Sequence, residues 1–460
     1  MIPVTSRNSQ HIAVFGLGAS GRATAHALSA GGAAVTAWDD NADSRTEAAN
    51  ENIALADPAT LDWSGQDALI LSPGVPLTHP EPHPAAQAAL TAGKPVIGDI
   101  ELLFENAGDA TLIGVTGTNG KSTTSALIHH VLQSAGMAVQ IGGNFGPPVL
   151  GLDPVDADDT VVLELSSYQL DLIDNAAFDV AVFLNLTPDH LDRHGDMDGY
   201  VAAKKRIFRN SRGARQIAVI GVDDAHGTAI AAELSGRPGW VVIPVSAGQP
   251  ADQGVSVIDG ALSDRDGHGC DISGIETLRG RHNWQNAAAA WAVARAQGIE
   301  PDVIAQAFGS FGGLPHRLEA VATIDGIRFV NDSKATNGEA ASRALSSFDD
   351  IYWIAGGVAK EDGLSPALPC LDRVRHAYLI GQAAGEFESE LTDHDVPVTV
   401  SGDLATALRD AKTDASADGL AAPVVLLSPA CASFDQYPNF ARRGDHFREL
   451  VMASGGESAS

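Results

Sequence analysis

Residues 111–123, Thr-Leu-Ile-Gly-Val-Thr-Gly-Thr-Asn-Gly-Lys-Ser-Thr, constrain this chain more than any other stretch. The apolar run Leu112, Ile113 and Val115 predicts a buried strand, and residues 122–133 predict a helix. Gly117 and Gly120 break the chain between them. Strand, glycine turn, Lys, Ser/Thr and helix is the layout of a phosphate-binding loop. Glycines let backbone N–H groups turn toward an anion, and the helix N-terminus adds a favourable dipole. Gly117, Thr118, Asn119, Gly120, Lys121, Ser122 and Thr123 would then cradle a nucleotide. Lys121 would reach the β- and γ-phosphates, and the Ser122 hydroxyl would sit on Mg²⁺. The strict pattern wants glycine five residues before Gly120. Val115 stands there, so the loop is a variant. The plain alternative, a solvated lysine on a glycine turn, fits poorly with Gly-Lys-Ser-Thr placed between these two elements.

A phosphate loop of this kind belongs to a parallel α/β sheet, and the rest of the chain reads accordingly. The 460 residues suffice for about three domains of roughly 150 residues each. Residues 11–15 predict a strand, followed by a Gly16-Leu17-Gly18-Ala19-Ser20-Gly21 turn, a helix at 22–29 and a strand at 35–38 ending on Asp39. Read alone, this GxGxxG turn with an acid about 20 residues on predicts a dinucleotide cofactor, but the same turn can hold any diphosphate. A further strand at 68–71 ends on Ser72, Pro73 and Gly74, which could line the same crevice. Residues 80–100 are rich in Pro, Ala and Gly, and a boundary falls near 100–108.

In the middle of the chain, residues 161–164 form an apolar strand that ends on Glu164. A carboxylate there is a candidate Mg²⁺ ligand, the alternative being a helix cap. Asn144 lies in a second glycine turn. The strand at 180–184 runs into Asp189 and His190, either of which could reach a metal. Residues 200–209 predict an amphipathic helix carrying Lys204, Lys205 and Arg206. Residues 216–275 read as short strands and turns with little chemistry. Asn283 and Asn286 open an Ala-rich helix, where asparagines are usually caps but could instead read a base edge. Residues 309–315 read as a flexible hinge. Beyond it, three strand ends carry Lys334, Lys360 and Ser433, two cations and a hydroxyl suited to a small dicarboxylate.

Charge and cysteine content exclude several classes. A net charge of −29 disfavours nucleic acid and anionic membranes, and no basic patch offsets it. The three cysteines, Cys270, Cys370 and Cys431, are too widely spaced for a disulfide framework or a zinc site. Residues 1–10 lack an apolar signal segment, so a cytoplasmic protein is expected, with no membrane or nucleic-acid partner.

In combination these motifs resemble the Mur ligases of bacterial cell-wall synthesis over essentially the whole chain. The resemblance rests on residues 116–122, 164–169, 185–193, His282 with Asn283 and Asn286, 314–317, 331–337 and 428–440. The last stretch is similar to the branch that adds D-glutamate to UDP-N-acetylmuramoyl-L-alanine. The Asp-Asn-Pro-Arg stretch of the diaminopimelate- and lysine-adding branch is absent from the sequence. The resemblance implies three α/β domains. These are a Rossmann-like UDP-substrate domain at 1–104, a central P-loop ATPase-type domain with a parallel sheet at 105–313, and a Rossmann-like D-glutamate domain at 314–460. It implies ATP with two Mg²⁺ ions, an acyl-phosphate intermediate and a monomer. Gly16, Leu17, Gly18, Ala19, Ser20, Asp39, Ser72, Pro73 and Gly74 would hold the UDP moiety rather than a dinucleotide. Ser122, Glu164, His190 and a carbamylated Lys204 would hold metal, and Lys121 and Asn144 would join His190 and Lys204 in catalysis. Asn283, Asn286, Arg317 and Asp332 would contact ATP. Lys334, Thr336, Lys360, Ser433 and Phe440 would bind D-glutamate.

Other readings compete. Another Mur ligase or a folylpolyglutamate synthetase would share the loop, but a folate enzyme leaves residues 11–75 without a role. A nicotinamide-dependent oxidoreductase accounts for the first glycine turn and leaves Lys121 and Lys204 unexplained. A non-catalytic nucleotide-binding module predicts binding without substrate-dependent hydrolysis.

Overall fold

The computed structural model describes residues 1–360 and 363–455. Its strands form three sheets. The first holds β1 (His11–Phe15), β2 (Ala34–Trp38), β3 (Ala68–Leu71) and β4 (Val96–Ile97), parallel throughout in the order β2-β1-β3-β4. The second holds β5 (Thr111–Thr116), β6 (Val139–Gly143), β7 (Thr160–Glu164), β8 (Val180–Phe183), β9 (Gln216–Gly221), β10 (Trp240–Ala247), β11 (Val255–Ile258), β12 (Ala261–Asp264) and β13 (Gly269–Asp271). Its order is β13-β12-β11-β10-β9-β8-β5-β7-β6, with only β11, β12 and β13 paired antiparallel. The third holds β14 (Glu319–Ile324), β15 (Ile327–Asn331), β16 (Ile351–Gly356), β17 (Val374–Ile380), β18 (Val398–Gly402) and β19 (Val424–Leu427). Its order is β14-β15-β19-β16-β17-β18, and only the β14–β15 pair is antiparallel.

The central parallel strands are continuous apolar runs because both sheet faces are covered. In β7, Val161, Val162 and Leu163 are fully buried, and in β8 so are Ala181, Val182 and Phe183. Two compact units result. One comprises Met1–Ile272 and Asn283–Ser310 and carries the first two sheets; the other comprises Ser273–His282 and the chain from Phe311 onward and carries the third.

Within the first unit the two sheets share packing. Residues 99–106 form a helix whose Glu101 is 1% exposed. The Glu101 carboxylate accepts the backbone N–H groups of Asp174, Asn175 and Ala176 at 2.8, 2.8 and 3.0 Å. Gly98 N–H donates to Leu172 O at 2.9 Å. A buried carboxylate with three amide donors is fully satisfied, so this joint is a fixed one.

Several elements differ from the sequence reading. Residues 216–275, expected to hold only strands and turns, include the helix Ala225–Ser235. Asp224 caps it by accepting from Gly227 N–H at 2.8 Å, and Ile230, Ala231 and Leu234 form its buried face. The Asp-rich approach reads as a turn because an N-cap and a turn use the same residue types. The strands β14 and β18 and the helix Pro301–Ser310 also lie outside that reading. The Asp325-Gly326 pair, a strong hairpin signal, is what announces β14. Gly309 and Ser310, expected as part of a hinge, close the helix Pro301–Ser310. Among the described residues no helix is long and apolar enough to cross a membrane.

Candidate active site

The second sheet has a topological switch point. From β5 the chain builds β6 and β7 on one side, then crosses to β8 and continues outward on the other. Ligands bind outside the carboxyl ends of the strands at such a point. Those ends are Thr116, Glu164 and Phe183, and each leads into one of the segments singled out above.

After β5 the chain turns between Gly117 (φ +151°) and Gly120 (φ +82°), and the helix Lys121–Ser134 begins. Val115 is buried within β5, which runs one residue further than the strict motif allows. The turn is therefore shorter, and no glycine is needed at 115. Asn185 clamps it from the end of β8: its Oδ1 accepts Asn119 N–H at 2.9 Å, and its backbone carbonyl accepts Thr118 N–H at 2.9 Å. Lys121 Nζ lies over the turn, 3.0 Å from Gly117 O and 2.8 Å from Thr118 O. Ser122 is buried at the first turn of the helix.

Glu164 is 2% exposed. Its Oε1 accepts from Asn144 Nδ2 at 2.7 Å, while its buried Oε2 has no hydrogen-bond partner among the described residues. Asn144 N–H also donates to Glu164 O at 2.9 Å. Glu164 caps no helix. The next helix, Ser167–Asp171, is closed by a capping box between Ser166 and Gln169.

Lys204 sits at the end of the helix Met197–Lys205 and is 1% exposed. Its Nζ donates to Gly117 O at 2.8 Å and lies 4.9 Å from the Tyr200 ring centroid. Burial, and then the nearby Lys121 charge, hold its pKa well below the usual lysine range, against a weaker pull from Asp189 and Glu164. His190 has φ +53° and precedes the helix Leu191–His194; its ring is 5.0 Å from Tyr168 and 6.4 Å from Tyr200.

These residues fit a hard divalent cation. An ionised carboxylate oxygen, buried and without a donor, is costly unless a cation completes it. Glu164 Oε2 is such an atom. The set has one carboxylate, one imidazole, one hydroxyl and one lysine amine whose burial disfavours its charged form. Elsewhere, Asp264, Asp266 and His268 bring ligand atoms within 4.8 Å of one another. Asp264 Oδ1 there caps the backbone N–H groups of Asp266 and His268, which accounts for that grouping as a hairpin turn.

In the first sheet, Gly16 (φ +94°) turns the chain after β1. Asp39 Oδ2 accepts Leu17 N–H at 2.6 Å, and Ser72 Oγ donates to Gly16 O at 2.9 Å. A Cβ on Gly21 would stand 1.7 Å from Gly16 O, so helix and turn pack in direct backbone contact. Gly16–Ser20, Asp39 and Ser72–Gly74 thus gather at the carboxyl ends of β1, β2 and β3. Asn283 and Asn286 lie inside the helix Arg281–Ala296 and are not caps. Asn286 Oδ1 accepts from Thr124 Oγ1 at 3.1 Å, and its Nδ2 donates to Asn283 Oδ1 at 3.0 Å.

The remaining predicted residues belong to the second unit. Asp332 accepts from Ser428 Oγ at 2.8 Å and Leu318 N–H at 3.2 Å, and burial pushes its carboxyl up to about 7 despite the Arg317 charge. Lys334 Nζ lies 4.0 Å from the Phe440 ring centroid, a cation–π contact. Val358 and Ala432 exchange backbone hydrogen bonds at 2.8 and 3.0 Å, which sets the exposed Lys360 and the buried Ser433 on neighbouring segments. Thr336 N–H donates to Lys334 O at 2.9 Å.

Residues that the sequence reading left out complete the frame. Tyr200 OH is 3.2 Å from Thr118 Oγ1, and its ring underlies Lys204. The i, i+4 spacing of Tyr200 and Lys204 on one helix was the available signal. Arg443, 1% exposed, donates from Nε to Ser333 Oγ and from Nη2 to Ser333 O and Cys431 O, all at 3.0 Å. It ties the ends of β15 and β19 together, and nothing in the sequence marks it.

A phosphate loop at a switch point, a buried carboxylate with an unpartnered oxygen and a buried lysine beside the loop, on a chain of three α/β sheets, are the features of a nucleotide-dependent ligase of the Mur type. Residues 115–294 match the Mur ligase middle domain, and residues 316–431 match the Mur ligase glutamate ligase domain. UDP-N-acetylmuramoylalanine–D-glutamate ligase of Agrobacterium fabrum is 50% identical, covering 98% of this chain and 97% of its own. The protein of that name from Rhodospirillum rubrum is 48% identical, covering 98% and 96%. In fold, the chain is similar to the UDP-N-acetylmuramate–alanine ligase MurC of Thermotoga maritima, with a TM-score of 0.57 at 16% identity over 97% of this chain and 100% of that one. MurF of Acinetobacter baumannii gives a TM-score of 0.57 at 18% identity over 76% and 79%. The chain belongs to the UDP-N-acetylmuramoylalanine–D-glutamate ligases, within the Mur ligases.

Proposed function

We propose that this chain joins D-glutamate to UDP-N-acetylmuramoyl-L-alanine at the expense of ATP, in the cytoplasmic synthesis of peptidoglycan precursors. The observation that carries this reading is the near-full-length likeness, at 48–50% identity, to ligases of that name. The alanyl carboxylate attacks the γ-phosphorus of ATP, giving an acyl phosphate and ADP. The D-glutamate amine, having lost a proton, attacks the acyl carbon. The tetrahedral intermediate then expels phosphate and leaves the amide.

The physical difficulty is crowding of anions, because a carboxylate must approach a triphosphate. Lys121 and the turn amides at 117–122 offset that charge, in a site where burial strengthens each interaction. Two Mg²⁺ ions, held by Ser122, Glu164, His190 and Lys204, would supply the remaining positive charge. Burial favours the uncharged amine of Lys204, the form that would add carbon dioxide with loss of a proton to give a carbamate, which would be an oxygen ligand. Asn144, hydrogen-bonded to Glu164, would orient the carboxylate that holds the ion. Asn283, Asn286, Arg317 and Asp332 would hold ATP. Lys334, Thr336, Lys360, Ser433 and Phe440 would hold D-glutamate, its two carboxylates meeting lysines. The Gly16, Asp39 and Ser72–Gly74 group would hold the UDP moiety at 1–104, a function that a folate enzyme lacks.

The test is phosphate release from ATP with UDP-N-acetylmuramoyl-L-alanine, comparing D-glutamate with L-glutamate, L-lysine and meso-diaminopimelate. Release with D-glutamate alone is expected. Release with another amino acid would move the substrate choice to a sibling branch, and none with any would overturn the ligase reading.

A further inference from the structure

The turn at Ser72–Gly74 and the loop that carries His190 belong to different sheets of the first unit, and one side chain connects them. Arg193 Nη1 donates to Gly74 O at 2.9 Å, and its guanidinium lies 4.5 Å from the Tyr168 ring centroid. Both ends of this strut are anchored. At one end, Ser72 Oγ holds Gly16 O, so the Gly74 turn moves with the glycine turn after β1. At the other, Tyr168 packs on His190 at 5.0 Å and stacks on His194 at 5.6 Å. His194 is itself fixed, with Nε2 2.9 Å from Ser167 Oγ and Nδ1 3.3 Å from Asp171 Oδ2. The approach is close: a Cβ on Gly195 would stand 3.0 Å from His79 Nε2.

A guanidinium suits this place. Its planar face stacks on the phenol ring while an edge N–H reaches the carbonyl, which a lysine ammonium cannot do at once. The bond to a backbone carbonyl makes no charge pair. Its contribution is geometric, setting how far the diphosphate-type turn stands from the loop of His190.

We propose that Arg193, seated on Tyr168, is a positioning residue that sets the register between the uridine-diphosphate end of the substrate and its reacting carboxylate. This rests on the ligase reading above. A muramoyl-alanine substrate spans both places, so a fixed span converts uridylyl binding into alignment of the carboxylate with the γ-phosphate.

The experiment is a two-by-two cycle between Arg193 and the uridylyl group. kcat and KM for D-glutamate-dependent phosphate release are measured for wild type, Arg193→Ala, Arg193→Lys and Tyr168→Leu. Each is tested with UDP-N-acetylmuramoyl-L-alanine and with the same substrate lacking the uridylyl group. For the full substrate, Arg193→Ala is expected to lower kcat/KM by about 10- to 100-fold, with part of the loss in kcat. The truncated substrate should change less than about threefold, because its far end is not held. KM for ATP should stay within about twofold, Tyr168→Leu should reproduce the pattern, and Arg193→Lys should restore it only in part. Equal losses on both substrates would overturn the proposal, as would a full-substrate loss confined to KM. Failure of wild type to release phosphate with the full substrate would instead refute the ligase reading itself. Thermal unfolding and nucleotide binding of each variant identify one that fails to fold; Tyr168→Leu then carries the cycle in place of Arg193→Ala.

Discussion

Gly120→Ala tests the phosphate turn most directly. Gly120 has φ +82°, and a Cβ there would stand 2.3 Å from Asn286 Oδ1. Two costs follow. An alanine in the left-handed region loses roughly 1–2 kcal/mol. Relieving the overlap moves Asn286, which holds Thr124 Oγ1 at 3.1 Å and Asn283 Oδ1 at 3.0 Å. Each of those buried bonds contributes about 0.5–1.5 kcal/mol. The sum is roughly 2–5 kcal/mol. At about 2–4 °C per kcal/mol, the thermal midpoint of the transition that includes the first unit should fall by roughly 4–20 °C. Asn286→Ala removes the obstructing oxygen. In the double variant Gly120→Ala with Asn286→Ala, the losses should therefore be less than additive by about 1 kcal/mol or more. ATP affinity should fall in the single glycine variant, because the turn amides are displaced. A midpoint shift under about 2 °C, which is about 1 kcal/mol or less by the same conversion, or strict additivity, would refute the packing argument.

Further outcomes follow from the same geometry. Glu164→Gln should lower kcat about 100-fold or more while leaving the fold intact, since it removes a buried negative charge and keeps the shape; a titration of activity against Mg²⁺ would expose the weakened dependence, and normal activity would remove Glu164 from the metal site. Lys204→Ala should lose turnover that bicarbonate does not restore, whereas an activity equal to wild type would remove Lys204 from the proposed metal site. Asp332 has a folded carboxyl pKa of about 7, raised by burial above its ordinary 3.8. The folded form binds the proton more tightly, so this contribution to stability is full below about 4 and is lost as pH rises through about 7. Asp332→Asn should flatten that part of the profile in unfolding scans across about pH 4 to 8. Phe440→Leu removes the ring beneath Lys334; KM for D-glutamate should rise several-fold, with KM for ATP unchanged within about twofold.

Local pattern settled the chemistry-bearing strand ends. Glycine, lysine and hydroxyl spacing at 117–123 reports a turn whose backbone conformation is set within that window, and Gly16 to Gly21 does the same after β1, although Asn185 and Ser72, which clamp the two turns, come from far along the chain. The apolar runs that end on Glu164 and before Asn185 are legible because buried parallel strands have no polar face. What lies across the fold is not written in any window. Glu101 reaches residues 174–176, Arg193 reaches Gly74, and Arg443 reaches Ser333 and Cys431, each over a sequence gap that no periodicity spans. The helix Ala225–Ser235 was hidden by caps that resemble turns. Asn286, which reads as a cap, is the partner of Thr124 only because the helix Arg281–Ala296 packs on the phosphate turn. Sequence alone determined which groups could do phosphoryl chemistry, because those groups act through local backbone geometry. Tertiary structure decided which of them are dry, have their charged form disfavoured, or lack a donor among the described residues, as with Lys204 and Glu164 Oε2, because desolvation depends on everything packed around a group and not on its neighbours in the chain.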